Sequence, residues 1–426
     1  MRLTEICYKH NLYRQLTATW RVQSKRRKIL DVGLKSRLEK NNMVIYDAMD
    51  IAAIPEPHID EIQTLQVTPI PKPDTKQVEA SQPIRKRLLA FRDNNVLLEG
   101  MDQAKRLTNT IEPEPNVLPQ QLTSLIDAVK LTEQDDLAKR CILSSIAFEC
   151  EQVKLPIRKN PKKRMWVFPR DYGISQPRRS RLLNTRLLQL CELISGSSTS
   201  NERWITRDAR FAVPLHWAET PVLLDVSADL LVMTSSPGGI PPVATVTAPP
   251  QGPPSFPDYI SPLISLEETD FEATKFEDAF PLKGNTQGPA VHTAIVNFDK
   301  EVVKNLYGTE VLPEQITSRS LMKAFAFSLA QARRIHGDKV QGQLDTPVTT
   351  QLIQTDGRWY HFAVMQLNTT DVHDANVCNY FWSLPVLEMY GPQSGYDDGR
   401  PVVHDYNASV LKTMLAFYNN GATKLG

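Results

Sequence analysis

The chain is poor in the residues and spacings that chemistry uses. Its five cysteines (Cys7, Cys141, Cys150, Cys191 and Cys378) are scattered and form no C-x-x-C pair. An odd, dispersed set argues against a disulfide framework and against a structural zinc site, and small buried thiols are the expected state. The eight histidines (His10, His58, His216, His292, His336, His361, His373 and His404) are dispersed as well. No G-x-S-x-G elbow, H-E-x-x-H pair, G-x-x-x-x-G-K-S/T loop or EF-hand loop occurs. Gly238-Gly239 follows Ser236-Pro237 without the Lys-Ser/Thr ending of a phosphate loop. No cofactor or metal is expected. Net charge is +1, from 49 Lys+Arg against 48 Asp+Glu. There is thus no global field to draw nucleic acid, and any RNA contact must come from local patches. No run of about 18 apolar residues exists, which excludes a membrane-spanning helix. Asn368-Thr369-Thr370 and Asn407-Ala408-Ser409 fit the glycosylation sequon but follow no secretory signal, and they read as chance.

What is present points to α+β architecture. Hydrophobic residues make up 41%, enough for a sizeable core, and the length allows two structured regions. The most legible stretch is 318–370. From Leu321 to Ala332 only Lys323, Ser328 and Gln331 are polar, the pattern of a helix buried almost all round. The expected helix covers 318–336, capped by Ser318, with Arg333 and Arg334 suiting its C-terminal dipole and Gly337 ending it. A strand at 348–354 follows, then the turn signal Thr355-Asp356-Gly357. The next strand, 358–367, is apolar on both alternating faces. Tyr360, Phe362 and Val364 share one face; Trp359, Ala363, Met365 and Leu367 share the other. In such a strand His361 reads as a satisfied core imidazole, and Asp356 is explained by its turn. A metal-dependent nuclease core would need an acidic residue and an E-x-K signature on this second strand, which reads RWYHFAVMQL instead.

In chain order, 1–30 is basic, acid-poor and amphipathic, with Leu12, Leu16 and Trp20 at helical spacing, and resembles a mitochondrial transit peptide. Residues 31–83 form a proline-marked extended arm. Residues 84–234 are expected to be mainly helical, with helices over 84–110, 116–129, 132–149 and 182–194, and two strands between 210 and 233. Residues 235–262 carry nine prolines and are taken as the linker at a domain boundary. Residues 263–426 form the α+β C-terminal domain: a strand at 292–298, the buried helix packed on the central hairpin, and a last helix, 408–419, capped by Asn407 and closed by Gly421. Within the helical half, 154–186 holds eleven Lys and Arg against the single acid Asp171. Basic side chains contact phosphates, and interleaved aromatics can stack on bases. The candidate RNA-binding residues are Lys159, Lys162, Lys163, Arg164, Trp166, Arg170, Arg178, Arg179 and Arg181.

Several blocks carry a family resemblance. They are Leu97-Leu98-Glu99-Gly100 with Gln103-Ala104 and Leu107-Thr108, then Phe325-Ala326-Phe327 and Ala330-Gln331-Ala332-Arg333. The tightest are Thr355-Asp356-Gly357-Arg358 and Gln366-Leu367-Asn368-Thr369-Thr370-Asp371, followed by Phe381-Trp382, Leu384-Pro385-Val386, Leu415-Ala416, Tyr418 and Gly421-Ala422. In these blocks the chain resembles the mitochondrial large-subunit ribosomal protein thirty-seven family. The resemblance implies a non-catalytic structural constituent of the mitochondrial ribosome's large subunit. The implied partners are mitochondrial ribosomal RNA, other large-subunit proteins, and a heterodimer with the paralogue once called programmed cell death protein nine. The competing reading is a mitochondrial nucleic-acid-processing enzyme, or an inactive relative of one, using 154–186 as its substrate strip.

Overall fold

A computed structural model describes residues 16–20, 34–42, 44, 87–131, 133–147, 153–154, 172–236, 238–246, 256–257, 259–270, 280, 289–305, 308–337, 340–397 and 400–422. The chain forms two units, 1–81 and 82–426. In the first, residues 16–20 are helical with Leu16 and Trp20 exposed, and α1 spans Leu34–Lys40.

The second unit begins with β1 (Arg87–Arg92), α2 (Gly100–Thr108), β2 (Thr110–Ile111), α3 (Gln120–Ala128) and α4 (Gln134–Ala147). The short β3 (Val153–Lys154) and β4 (Tyr172–Gly173) precede α5 (Gln176–Ser200). A long hairpin, β5 (Arg203–Trp217) and β6 (Thr220–Thr234), is followed by β7 (Glu267–Asp270), β8 (Ala290–Asn297) and α6 (Pro313–His336). Then come β9 (Gln343–Thr355), β10 (Trp359–Thr369), β11 (Asn379–Ser383), β12 (Leu387–Glu388), β13 (Gly395–Asp397), β14 (Arg400–Val402) and α7 (Ala408–Asn419).

One mixed sheet organises the unit, in the order β2-β11-β10-β9-β8-β6-β1-β7, with β5 along the far side of β6 and β12 against β10. Helices cover both faces, so the central strands are apolar on both. Toward α6 point Leu352, Ala363, Met365 and Phe381, which pack with Phe325, Phe327 and Leu329. Toward α5 and α7 point Ile353, Tyr360, Phe362, Val364 and Trp382, which pack with Leu183, Leu187, Met414 and Phe417. The α+β class therefore holds. The last helix docks on the central hairpin: the Phe362 and Phe417 rings lie 5.2 Å apart, and Gln351 Nε2 donates to Phe417 O at 2.9 Å. Asn407 caps that helix by accepting from Ser409 N at 3.0 Å.

The polar interruptions of α6 each meet a different partner. Ser320 Oγ pairs with His361 Nδ1 on β10 at 2.9 Å, and Ser328 Oγ with Thr350 Oγ1 on β9 at 2.6 Å. Gln331 Oε1 accepts from Val291 N on β8 at 3.2 Å, and Lys323 Nζ donates to Ser227 O on β6 at 3.1 Å. Burying each group is tolerable only with such a partner, so these contacts fix the rotation of the rod over the sheet.

Four expectations are corrected. The helix expected over 84–110 is β1 followed by α2, because Arg87–Arg92 pairs with β6 in parallel and with β7 in antiparallel. Residues 84–234 are accordingly not mainly helical but also supply the long β5–β6 hairpin. The α6 helix starts at Pro313, not at 318. Gln315 Oε1 holds the Leu312 N–H at 3.0 Å, and Ser318 Oγ donates to Gln315 O inside the helix. The segment 235–262 is no boundary, since strands from both sides of it join one sheet. Its first part also packs down: Ile240 is buried and bridges to Thr349, while Gln366 clamps Val243 and Ala244.

Candidate nucleic-acid interface

The hairpin turn seats the basic helix. In Thr355-Asp356-Gly357, Asp356 Oδ1 accepts from Arg358 N at 2.8 Å and Trp359 N at 3.0 Å. Gly357 has φ +93°, and a Cβ there would meet Ser180 of α5 at 3.2 Å. Only glycine allows both that conformation and that approach. Gln176, in the first turn of α5, then donates through Nε2 to Asn297 Oδ1 (3.1 Å), Phe298 O (3.2 Å) and Asp356 O (2.6 Å). About two turns further on, Asn184 Oδ1 accepts from the buried Tyr360 hydroxyl at 3.0 Å. Leu183, Leu187 and Cys191 fill the core face, which leaves Arg178, Arg181 and Arg186 on the other side. Burial pushes the Cys191 thiol well above the ordinary range, so it is an inert packing group.

Of the candidate RNA-binding residues, Lys159, Lys162, Lys163, Arg164, Trp166 and Arg170 lie outside the described residues. Arg178, Arg179 and Arg181 stand in the first two turns of α5, and the first turn of that helix contains no acid of its own. Arg178 and Arg181 border a groove of about 650 Å³ with Thr185, Arg186, Gln189 and Arg207. Arg181 bonds Asp208 and reaches Asp229 Oδ1 at 3.3 Å, and Arg186 bonds Ser144 of α4. Arg207, which comes from β5, was not among the candidates. A strand residue 21 positions beyond the basic segment gives no local signal, and only the β5–α5 packing brings it into the groove.

A second charged group lies beside α6. Lys323 is 1% exposed, pairs with Asp93, and is held by burial and by Arg319, against the attraction of Asp93, at a pKa of about 8. Burial works to raise the Asp93 carboxyl, but Lys323, Ser227 and Arg319 outweigh it and hold it below its ordinary value. The Arg319 guanidinium donates to Asp93 O and to Asn297 O. Every member has a partner within the fold, as a structural charge network does. Among the described residues no three His, Cys, Asp or Glu side chains form a group that could hold a metal ion. His361 is 1% exposed and burial lowers it to about 4. With Nδ1 on Ser320, it is a neutral core imidazole.

The blocks that carry the family resemblance are clamps of this fold. Gln103 Nε2 donates to Pro262 O and Ile264 O, both at 2.7 Å. Asn368 Nδ2 donates to Cys378 O at 2.7 Å, and Asn379 Oδ1 accepts from Asn368 N and Thr369 N. Asn368 is fully buried in this role, which leaves its sequon without access to a glycan.

Fold and groove together define a scaffold: a doubly covered sheet that holds a basic helix on one of its faces. Residues 298–421 match the family model described as mitochondrial 28S ribosomal protein S30 (PDCD9). More of the chain aligns with proteins named large ribosomal subunit protein mL37. It is 29% identical to that of Rattus norvegicus over 353 residues, 76% of this chain and 73% of the relative. It is 28% identical to that of Gallus gallus over 302 residues, 67% and 61%, and 30% identical to that of Bos taurus over 186 residues, 38% and 39%. The chain thus spans about three fifths of the chicken protein and two fifths of the bovine one. The resemblance read from the sequence is shown by these matches.

Proposed function

We propose that this protein is a structural constituent of the large subunit of the mitochondrial ribosome, with no catalysis of its own. The observation that carries it is the coincidence of two facts. The relatives that align over most of the chain bear the large-subunit name, and the residues that carry the likeness act here as hydrogen-bond clamps of a buried scaffold. In this reading residues 1–30 direct the chain to the mitochondrion, and the basic segment through Arg181 contacts ribosomal RNA. A paralogous protein is the proposed heterodimer partner. Its support is the exposure of Val302 (56%) and Leu312 (58%), each next in the chain to a residue, Val303 or Val311, of a pocket that also takes in Phe298, Ile316, Lys300, Lys304 and Glu310.

Sedimentation of mitochondrial lysate tests the function. The protein is expected to travel with large-subunit ribosomal RNA through a sucrose gradient. Its confinement to light fractions at low salt would rule the reading out. For the partner, Leu312→Asp is expected to reduce co-purification of the paralogue. Undiminished recovery would remove the heterodimer.

A further inference from the structure

We propose that the groove between α5 and β5 takes the sugar–phosphate edge of an RNA duplex, with Arg207 as a phosphate contact that the basic segment does not supply. This rests on the ribosomal reading above and adds the form of RNA and the residue that grips it.

The groove is built by three features. First, α5 has Pro177 at its start and no acid in its first turn, so Arg178, Arg179 and Arg181 gather at the positive end of its dipole. Second, the β5–β6 ladder is interrupted for one residue at Asp208, which has φ +51° and stands between the pairs Arg207↔Leu230 and Ala209↔Ala228 with the register unchanged. Here two consecutive residues reach the same helix: Asp208 binds Arg181, and Arg207 lines the groove. Third, β5 pairs only with β6 among the described strands, so the side bearing Arg207 is open.

The charges are unequal. Arg181 is largely matched by Asp208 and Asp229, and it fixes the groove's shape. Arg207 is exposed and has no carboxylate partner among the described residues, so its charge is available to a ligand. The rest of the lining selects the ligand. Among the described residues no Phe, Tyr or Trp lines the groove, so these offer no platform on which splayed bases could stack. Single-strand recognition depends on such platforms; duplex RNA is read through phosphates and 2′-hydroxyls. The Thr185 hydroxyl and Gln189 amide, between the arginines, suit the 2′-hydroxyl. From Arg178 to Arg186 the helix rises about 12 Å, room for a stretch of backbone rather than for one phosphate.

Fluorescence anisotropy with the full chain tests this against three labelled probes of one sequence: an RNA hairpin duplex, the single-stranded RNA and the DNA duplex. The RNA duplex is expected to bind about tenfold more tightly than either alternative. Arg207→Glu is expected to weaken it about tenfold and to flatten the dependence of log affinity on log salt by about one to two units. Arg207→Gln, which keeps the size and removes only the charge, gives a smaller loss in the same direction. Unchanged duplex affinity in both variants, or tighter binding of the single strand, overturns the groove. A contrast with Lys162→Glu/Lys163→Glu/Arg164→Glu separates the two readings. If that triple variant loses RNA while the Arg207 variants keep it, the groove fails and the basic segment stands. If the wild type binds none of the probes, both fail.

Discussion

Helices α6 and α5 span 24 and 25 residues, the second interrupted by a kink at Gly196, and both pack on the central hairpin, from opposite faces. Their burial differs. From Ser318 to Ala332 every residue of α6 is buried, and the side chains of Ser320, Lys323, Ser328 and Gln331 are spent on sheet partners. Helix α5 buries one face and leaves its arginines along a groove. The 318–332 stretch of the first helix is closed to any ligand. The second is held in place by the hairpin turn and faces outward. The contrast teaches a division of labour in which rigidity is supplied by one region and contact by the other.

Substitutions should separate the two. The largest loss is expected from Phe325→Ala, which opens a cavity against Phe362's strand and its neighbours in a side chain with no exposure, at about 3–5 kcal/mol by thermal or denaturant unfolding. A change below about 1 kcal/mol would contradict the burial of α6. Asp93→Ala is expected to cost about 3 kcal/mol, because it leaves the buried Lys323 ammonium without its carboxylate. Lys323→Met in the same background should recover part of that loss, and no recovery would argue that Asp93 acts elsewhere.

The buried imidazole gives the comparison a pH signature. His361 is lowered to about 4 in the folded chain, from 6.5 in the unfolded one. Between those values the unfolded chain binds the extra proton, so stability falls as pH drops through 6.5 toward 4. His361→Gln is expected to flatten this dependence by about 2 kcal/mol at pH 5 relative to pH 7. Equal slopes in the two proteins would mean that the imidazole is not held neutral. Gly357→Ala, with positive φ and a 3.2 Å approach to Ser180, is expected to cost about 1–2 kcal/mol and to loosen α5 more than α6. At the small end, Arg207→Gln is expected to leave the unfolding midpoint within about 0.5 kcal/mol while weakening RNA binding. A large stability loss there would make Arg207 structural.

The same contrast explains what could be read in advance. The rod and ribbon are written locally: apolar residues in continuous helical register, then alternation on both faces of β10, with Asp-Gly between the strands. Asn407 likewise announces its helix by capping chemistry. Strand β1 is written in Leu, Ala and Arg, all good helix formers, and only pairing with β6 and β7 makes it extended. The prolines of 235–262 speak for irregular backbone and say nothing about whether the sheet continues beyond them. Pro313 and Gln315 start α6 by a cap that runs through a glutamine side chain, a signal weaker than the serine three residues later. Lys323 looked like a single polar interruption; its carboxylate partner lies 230 positions earlier in the chain. Arg207 lines the groove only because β5 packs beside α5, which no spacing rule marks.

Hydrogen exchange of the full chain, with and without the RNA duplex, tests the division most directly. The account predicts that amides of α6, β9 and β10 exchange slowest and are unmoved by RNA, while 176–189 and 203–210 gain protection when it binds. RNA-dependent protection confined to α6 or the β9–β10 hairpin, with none in α5 and β5, would contradict it.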